Sequence, residues 1–334
     1  MHHCTSALLL IFTINSASAQ TLPATTQSTR AAEHEHVLRL GSRNIRAHDP
    51  STIARCGQEY WIFATGRGIV SLHSKDLVHW ERGAPVFTTA PAWNSEIVPG
   101  TRTLSYWAPD IVHAGDRYLL YYSVSIFGKN TSAIGVASNL TLDPTDPKFK
   151  WIDEGPVISC DGKQNYNTID PSVMLDTDGK LWMAFGSYWS GIKLIELNPK
   201  TGKRIAPDSP MHALAHARDI EAACIFRHGD DYILFVNFGQ CCRGVNSTYN
   251  IRVGKSKAII GPYLDKDGKD LREGGGTLIA GSDGAFIGPG HAGIFCEGDR
   301  CWMSMHFYDG SNNGVGTLAI RAIHWDAQGF PVVE

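Results

Sequence analysis

The 334-residue sequence predicts an all-β chain, a five-bladed β-propeller of four-stranded antiparallel blades. Three observations carry that expectation. A charged or imidazole residue stands ahead of a short apolar segment five times, at Asp49, Asp110, Asp170, Glu221 and His291. Each is followed by a turn and an aromatic strand: EYWIFA, DRYLLYYS, KLWMAFGS, DYILFVNF and RCWMSMHF. No amphipathic helix of ordinary length interrupts the series, and recurrence at this period is the signature of a propeller or an array.

Within each unit the strands follow from local chemistry. Gly and Asp turn signals at 113–116, 176–179, 227–230 and 297–299 fall where a hairpin would join the first and second strands. Third strands are expected at 68–72, 133–137, 192–196, 249–253 and 317–321. Outer strands are expected at Trp80, at Trp151, after Pro199, at Pro262 and Tyr263, and at Trp325. A β-sandwich would not repeat an acid at the start of every unit.

The composition is 43% hydrophobic and 19% charged, enough apolar material for a real core. A net charge of −3 without a basic cluster offers no general attraction to nucleic acid or anionic membranes, so a neutral partner is expected. Residues 1–19 read as a signal peptide, with an apolar run from Ala7 to Ile14 and an Ala17-Ser18-Ala19 cleavage site. The mature chain is therefore expected to be secreted or periplasmic and monomeric. Residues 20–40 form a flexible lead-in and residues 41–334 a single propeller domain. Of the eight cysteines, Cys4 leaves with the signal. Cys296 and Cys301 bracket a hairpin turn and could pair across it, while a bond between the adjacent Cys241 and Cys242 would be strained. Zinc is disfavoured, because no CxxC pair or closely spaced histidine accompanies them. The stretch 265–270 has Gly where a calcium loop needs its third ligand, and reads as a hairpin turn.

Residues that begin the inner strands of a propeller face one central channel. Taken singly, an Asp beside Pro is more often a turn residue than a catalyst. Gathered at equivalent points of a repeat, Asp49, Asp170 and Glu221 supply what breaking a glycosidic bond requires: a protonated acid and an ionised carboxylate. Crowded carboxylates raise one another's pKa, which lets one stay protonated. The longer Glu221 is the natural acid and a short Asp the natural base.

The ordered motifs HDPS at 48–51, YWAPD at 106–110, NTIDPS at 167–172, IEA at 220–222, CCRG at 241–244 with STY at 247–249, EGGGT at 273–277 and GPGH at 288–291 resemble glycoside hydrolase family 43. Within it they resemble the endo-α-1,5-L-arabinanases, over residues 44–334. The resemblance implies an inverting hydrolysis of arabinan. Asp49 matches the general base, Glu221 the general acid, and Asp170 the carboxylate that tunes the acid and orients substrate. Inversion would set Asp49 and Glu221 roughly 6.5–9.5 Å apart. His291 matches a histidine facing a hydrated Ca2+ in the channel. Trp107 and Phe127 are expected to stack on sugar, and Asn167, Thr168, Ser187 and Arg243 to hydrogen-bond its hydroxyls. Asp110, the carboxylate left over, is placed with them. Where family members carry Pro after the Glu-Ala pair, this chain has Ala223. Alternatives on the same fold are an exo-arabinanase, an α-L-arabinofuranosidase, a β-xylosidase or a retaining enzyme. From a different class comes a sugar-binding propeller without activity.

Overall fold

The computed structural model describes Met1 and residues 45–334. The expected signal peptide and lead-in lie outside the described residues. Five antiparallel blades of four strands follow in chain order, the second extended at its inner edge by the two-residue strand Gly66–Arg67. The first comprises Ala54–Cys56, Glu59–Ala64, Val70–Ser74 and Trp80–Arg82, and the second Ser105–Ala114, Arg117–Ser125, Thr131–Asn139 and Ile152–Asp161. The third comprises Ser172–Leu175, Leu181–Phe185, Ile192–Leu197 and Met211–Ala215. The fourth and fifth run Ile220–His228, Asp231–Phe238, Asn250–Ser256, Thr277–Ala280 and then Phe286–Glu297, Arg300–Asp309, Val315–Trp325, Pro331–Val333. The only α-helix among the described residues is the short Trp93–Ile97.

All four expected hairpin turns join first and second strands; the third strands expected at 133–137, 192–196 and 317–321 fall inside observed ones, while those expected at 68–72 and 249–253 begin two and one residues too early. Two outer strands need correction. The segment at Pro262 and Tyr263 lies in a loop that bridges back through Leu264 to Lys255, and the outer strand of that blade is Thr277–Ala280. Trp325 ends a third strand, and Pro331–Val333 is the edge. Aromatic residues flagged both places, but burial against a neighbour, not strand membership, is what an aromatic reports. Tyr263 is fully buried in its loop.

Each seam between blades holds its own apolar cluster. Phe63, Tyr106 and Tyr122 fill the seam between the first and second blades, and Tyr121, Phe185 and Met183 the next. Phe235, Met303 and Phe307 pack between the fourth and fifth. Burying each such side chain stabilises the ring by about 1.5–3 kcal/mol. Closure uses the segment just ahead of the first blade: Arg46 bridges Thr317 antiparallel, and the Leu318 amide donates to the Ile45 carbonyl at 2.9 Å. Cys296 and Cys301 are disulfide-bonded across the first hairpin of the fifth blade, as their spacing suggested. At 265–270 the Asp265 carboxylate accepts the Asp267 and Lys269 amides, which makes the expected turn.

Candidate active site

On or just ahead of every inner strand one residue adopts left-handed backbone: Asp49 (φ 47°), Ala108 (43°), Asp170 (56°), Ala222 (52°) and His291 (60°). For residues other than Gly this conformation is costly and persists only where surroundings hold it. What holds it is a side chain of the preceding blade. The Ala108 amide donates to Thr65 Oγ1 (2.7 Å), Asp170 to Ser123 Oγ (3.0 Å), and Ala222 to Asp170 Oδ2 (3.0 Å). His291 donates to Asn237 Oδ1 (2.9 Å), and Asp49 closes the circle on His306 Nδ1 (3.1 Å). Irregular pairing around this residue in the second, fourth and fifth blades re-aims the side chains, as a bulge does.

This register revises the sequence alignment of the repeats. Pro50, Pro109 and Pro171 occupy one position, so Ala108 is the counterpart of Asp49. Asp110 lies two residues further, with Ser51, Ser172, Cys224 and Gly293. Asp110 is buried and lies outside the cavity lining, so it is no substrate ligand. Its Oδ1 accepts the Thr52 amide (2.9 Å) and its Oδ2 the Val173 amide (2.8 Å), which ties the second blade to both neighbours. Burial raises its carboxyl to about 6, against the pull of those amides.

The upper ring opens into a cavity of approximately 1090 Å³. Asp49, Asp170, Glu221, His291, Trp107, Phe127, Asn167, Ser187 and Arg243 all line it. Thr168 does not. It is fully buried and shares its hydroxyl with Ser132 at 2.7 Å, buttressing Asn167, whose Oδ1 accepts from the same Ser132 hydroxyl (2.6 Å). Trp107 is half-buried, with its indole N–H on Ser105 Oγ (3.3 Å), whereas Phe127 is 79% exposed.

The two sides of the cavity differ electrostatically. Asp49 Oδ2 accepts from Thr65 (2.6 Å) and sits 2.8 Å from His48 Nδ1; Oδ1 lies 3.5 Å from His291 Nδ1 and 3.7 Å from His306 Nδ1. Burial alone would push the His48 imidazolium down; the Asp49 charge reverses this and raises it to about 10. Burial would likewise raise Asp49, but the His48 cation holds it far below the usual carboxylate range. Opposite, burial lifts Glu221, while hydrogen bonds from Ser187 (2.9 Å) and Tyr249 (3.0 Å) pull it partly back and the Asp49 charge adds to the rise. Burial and the charges of Glu221 and Asp49 hold Asp170 well above its ordinary value. Glu221 and Asp170 thus retain a proton together, beside an ionised Asp49.

Several lining or supporting residues lay outside the sequence reading of the site: His48, Thr65, Tyr249 and Trp189. His48 and Tyr249 stood within quoted motifs. Gly290 explains Tyr249's place, since a Cβ there would meet its ring at 2.1 Å. For a cation, the donors that converge are His48, Asp49 and His306, with His291 beside Asp49. One carboxylate among imidazoles does not make the oxygen cage calcium prefers. The set fits Ca2+ only as a hydrated ion that meets the protein largely through water.

A model of glycosyl hydrolases family 43 matches residues 43–331. The extracellular exo-α-(1→5)-L-arabinofuranosidase of Cellvibrio japonicus (strain Ueda107) is 39% identical over 311 residues, 89% of this chain and 89% of that protein. The extracellular endo-α-(1→5)-L-arabinanase 1 of Bacillus subtilis (strain 168) is 41% identical over 299 residues, 87% and 88% of the two chains. The Cellvibrio cellulosa α-L-arabinanase complexed with arabinohexaose superposes with a TM-score of 0.83 at 39% identity, covering 87% of this chain and 96% of that one.

Proposed function

Since the chain belongs to glycosyl hydrolases family 43, we propose that it cleaves α-1,5-linked L-arabinofuranosyl bonds of arabinan with inversion. The observation that carries this reading is the asymmetric pair of buried carboxyls, one held ionised by His48 and the other held protonatable beside Asp170. Water enters beside Asp49, which takes one proton as the water oxygen bonds to the anomeric carbon. The bond from that carbon to the departing sugar oxygen breaks, and Glu221 delivers its proton there. Asp170 shares the retained proton with Glu221 before the step, and its Oδ2 fixes the backbone at Ala222 next to the acid.

Endo action is the reading we adopt. The cavity exceeds a typical small-ligand site of about 300–1,000 Å³ and suits several sugar units. Exo action is the second reading, favoured by the name of the Cellvibrio relative. A time course of products from linear α-1,5-arabinan separates the two: mixed oligosaccharides from the first minutes for endo, one short product throughout for exo. Proton NMR of the first-formed anomer tests inversion. We further propose a hydrated Ca2+ near His291 and Asp49, which would add positive charge beside the base. Chelation by EDTA is then expected to lower thermal stability, and an unchanged melting curve would remove the ion. Export and a monomeric state complete the proposal, and N-terminal sequencing and size-exclusion chromatography of the enzyme from its own host's medium test them.

A further inference from the structure

Beside the carboxylates, the cavity wall carries two adjacent thiols that the hydrolysis does not use. Cys241 is half-buried and Cys242 exposed, and both line the cavity. The Cys242 sulfur lies 3.9 Å from His48 Nε2. The other ring nitrogen of His48 is the one 2.8 Å from Asp49. The Cys242 amide donates to the Tyr308 hydroxyl (2.6 Å), which in turn lies 2.8 Å from His48 Nε2. Thiol, imidazole and carboxylate therefore stand in sequence along one wall of the cavity. The other unpaired thiols among the described residues are less available: Cys160 and Cys224 are buried, and Cys56 Sγ is engaged by the Leu142 amide.

We propose that Cys242, flanked by Cys241 and His48, is a thiol–disulfide exchange site in the wall of the catalytic cavity that takes small anionic disulfides of the glutathione type. Capping it obstructs the base side of the cavity. Exposed Arg102, Lys129 and Arg243 on the same lining supply the preference for an anionic reagent. In the step, the Cys242 sulfur bonds to one sulfur of the disulfide. The S–S bond breaks, and the released thiolate leaves with the electron pair and takes up the proton Cys242 lost. Cys242 is thereby oxidised to a mixed disulfide while half of the reagent is reduced to a free thiol, and an added thiol reverses the exchange. Onward attack by Cys241 is disfavoured. Adjacent Cα atoms stand about 3.8 Å apart, below the roughly 4.4–6.8 Å that an unstrained disulfide spans. The mixed disulfide is therefore the species that accumulates.

The inhibition rests on the hydrolase reading; the exchange site does not. The test is to incubate the enzyme with glutathione disulfide, map its peptides by mass spectrometry, and assay arabinan hydrolysis in the same samples. A single glutathionyl group on Cys242, with turnover down about 100-fold at full occupancy and restored by dithiothreitol, is expected. Arabino-oligosaccharide should slow the capping, and neutral hydroxyethyl disulfide should react more slowly. Cys242→Ser, measured against its own untreated rate, should lose the sensitivity. Labelling that spares Cys242, or full capping with undiminished turnover, would overturn the proposal. An untreated enzyme without turnover would sink the hydrolase reading instead, and the labelling pattern and reagent preference would then decide the thiol site alone.

Discussion

Two rings of side chains lie two residues apart on the same inner strands, and they do opposite work. The upper ring, from Asp49 through Ala108, Asp170 and Ala222 to His291, holds left-handed backbone and presents its polar members to the cavity. The lower ring of Ser51, Asp110, Ser172, Cys224 and Gly293 faces the seams. Ser172 Oγ accepts the Ile225 amide of the next blade (3.0 Å), as Asp110 accepts that of Val173. Gly293 has no side chain to offer, and a Cβ there would meet the Thr52 nitrogen at 2.6 Å. Asp110 reaches backward and supplies Thr52 instead. Two aspartates that look alike in sequence are thus separated by two residues along a strand into a reagent and a clamp.

The largest expected effects set the rings apart. Glu221→Gln removes the proton donor beside the upper ring, and turnover of arabinan should fall about 10²–10⁴-fold while arabino-oligosaccharide binding, read by calorimetry, survives. Turnover within a few-fold of the parent would remove Glu221 from the mechanism. Asp110→Ala should do the reverse. It leaves two buried amides without acceptors, a loss of about 2–5 kcal/mol in urea unfolding, with turnover per folded molecule nearly unchanged. The pH dependence has a definite sign. A carboxyl raised in the fold from 3.8 to about 6 favours folding fully below its unfolded pKa, and that contribution is lost as pH rises through 6. Asp110→Asn should flatten this part of the stability profile.

How much of this was legible is best seen at the same residues. The aromatic second strands and the Gly-Asp hairpins announced five blades, because hairpin chemistry is local. The Asp-Pro, Pro-Asp and Glu-Ala motifs marked the inner-strand starts but left their register undetermined by one or two residues. A strand's side chains alternate faces, and a bulge shifts them again. The shared Pro50, Pro109 and Pro171 held the needed frame, and following them would have moved Asp110 off the list of sugar ligands. Thr168 was misjudged for a different reason. It sits beside Asn167 in sequence, but burial turns it into Ser132, and no local pattern reports that contact. Tyr249 and His48 act through partners 28 and 260 residues away, Glu221 and Tyr308, which only the closed ring brings near.

A smaller effect sharpens the picture of the acid. The Tyr249 hydroxyl donates to Glu221 Oε1 at 3.0 Å, and that bond favours the ionised carboxylate. Tyr249→Phe deletes it, so the acid keeps its proton to higher pH. The alkaline limb of kcat/KM should move upward by about one pH unit, with the acidic limb, set by Asp49, in place. An unmoved alkaline limb would mean that Glu221 is not the group titrating there.

The smallest expected effect lies wholly in the lower ring. Ser172→Ala removes a single acceptor, that of the Ile225 amide, and should cost about 1 kcal/mol of stability with no change in the pH profile. Ser172 stands two residues from Asp170 and one turn of the pleat below it, so clamp and reagent are near neighbours there. If the rings are independent, the loss stays in the unfolding curve, because Asp170 is held from above by Ser123 and by the Ala222 amide. A shift in the alkaline limb as large as that of Tyr249→Phe would mean the seam amides set the height of Asp170 beneath the acid, and clamp and reagent would then be one device.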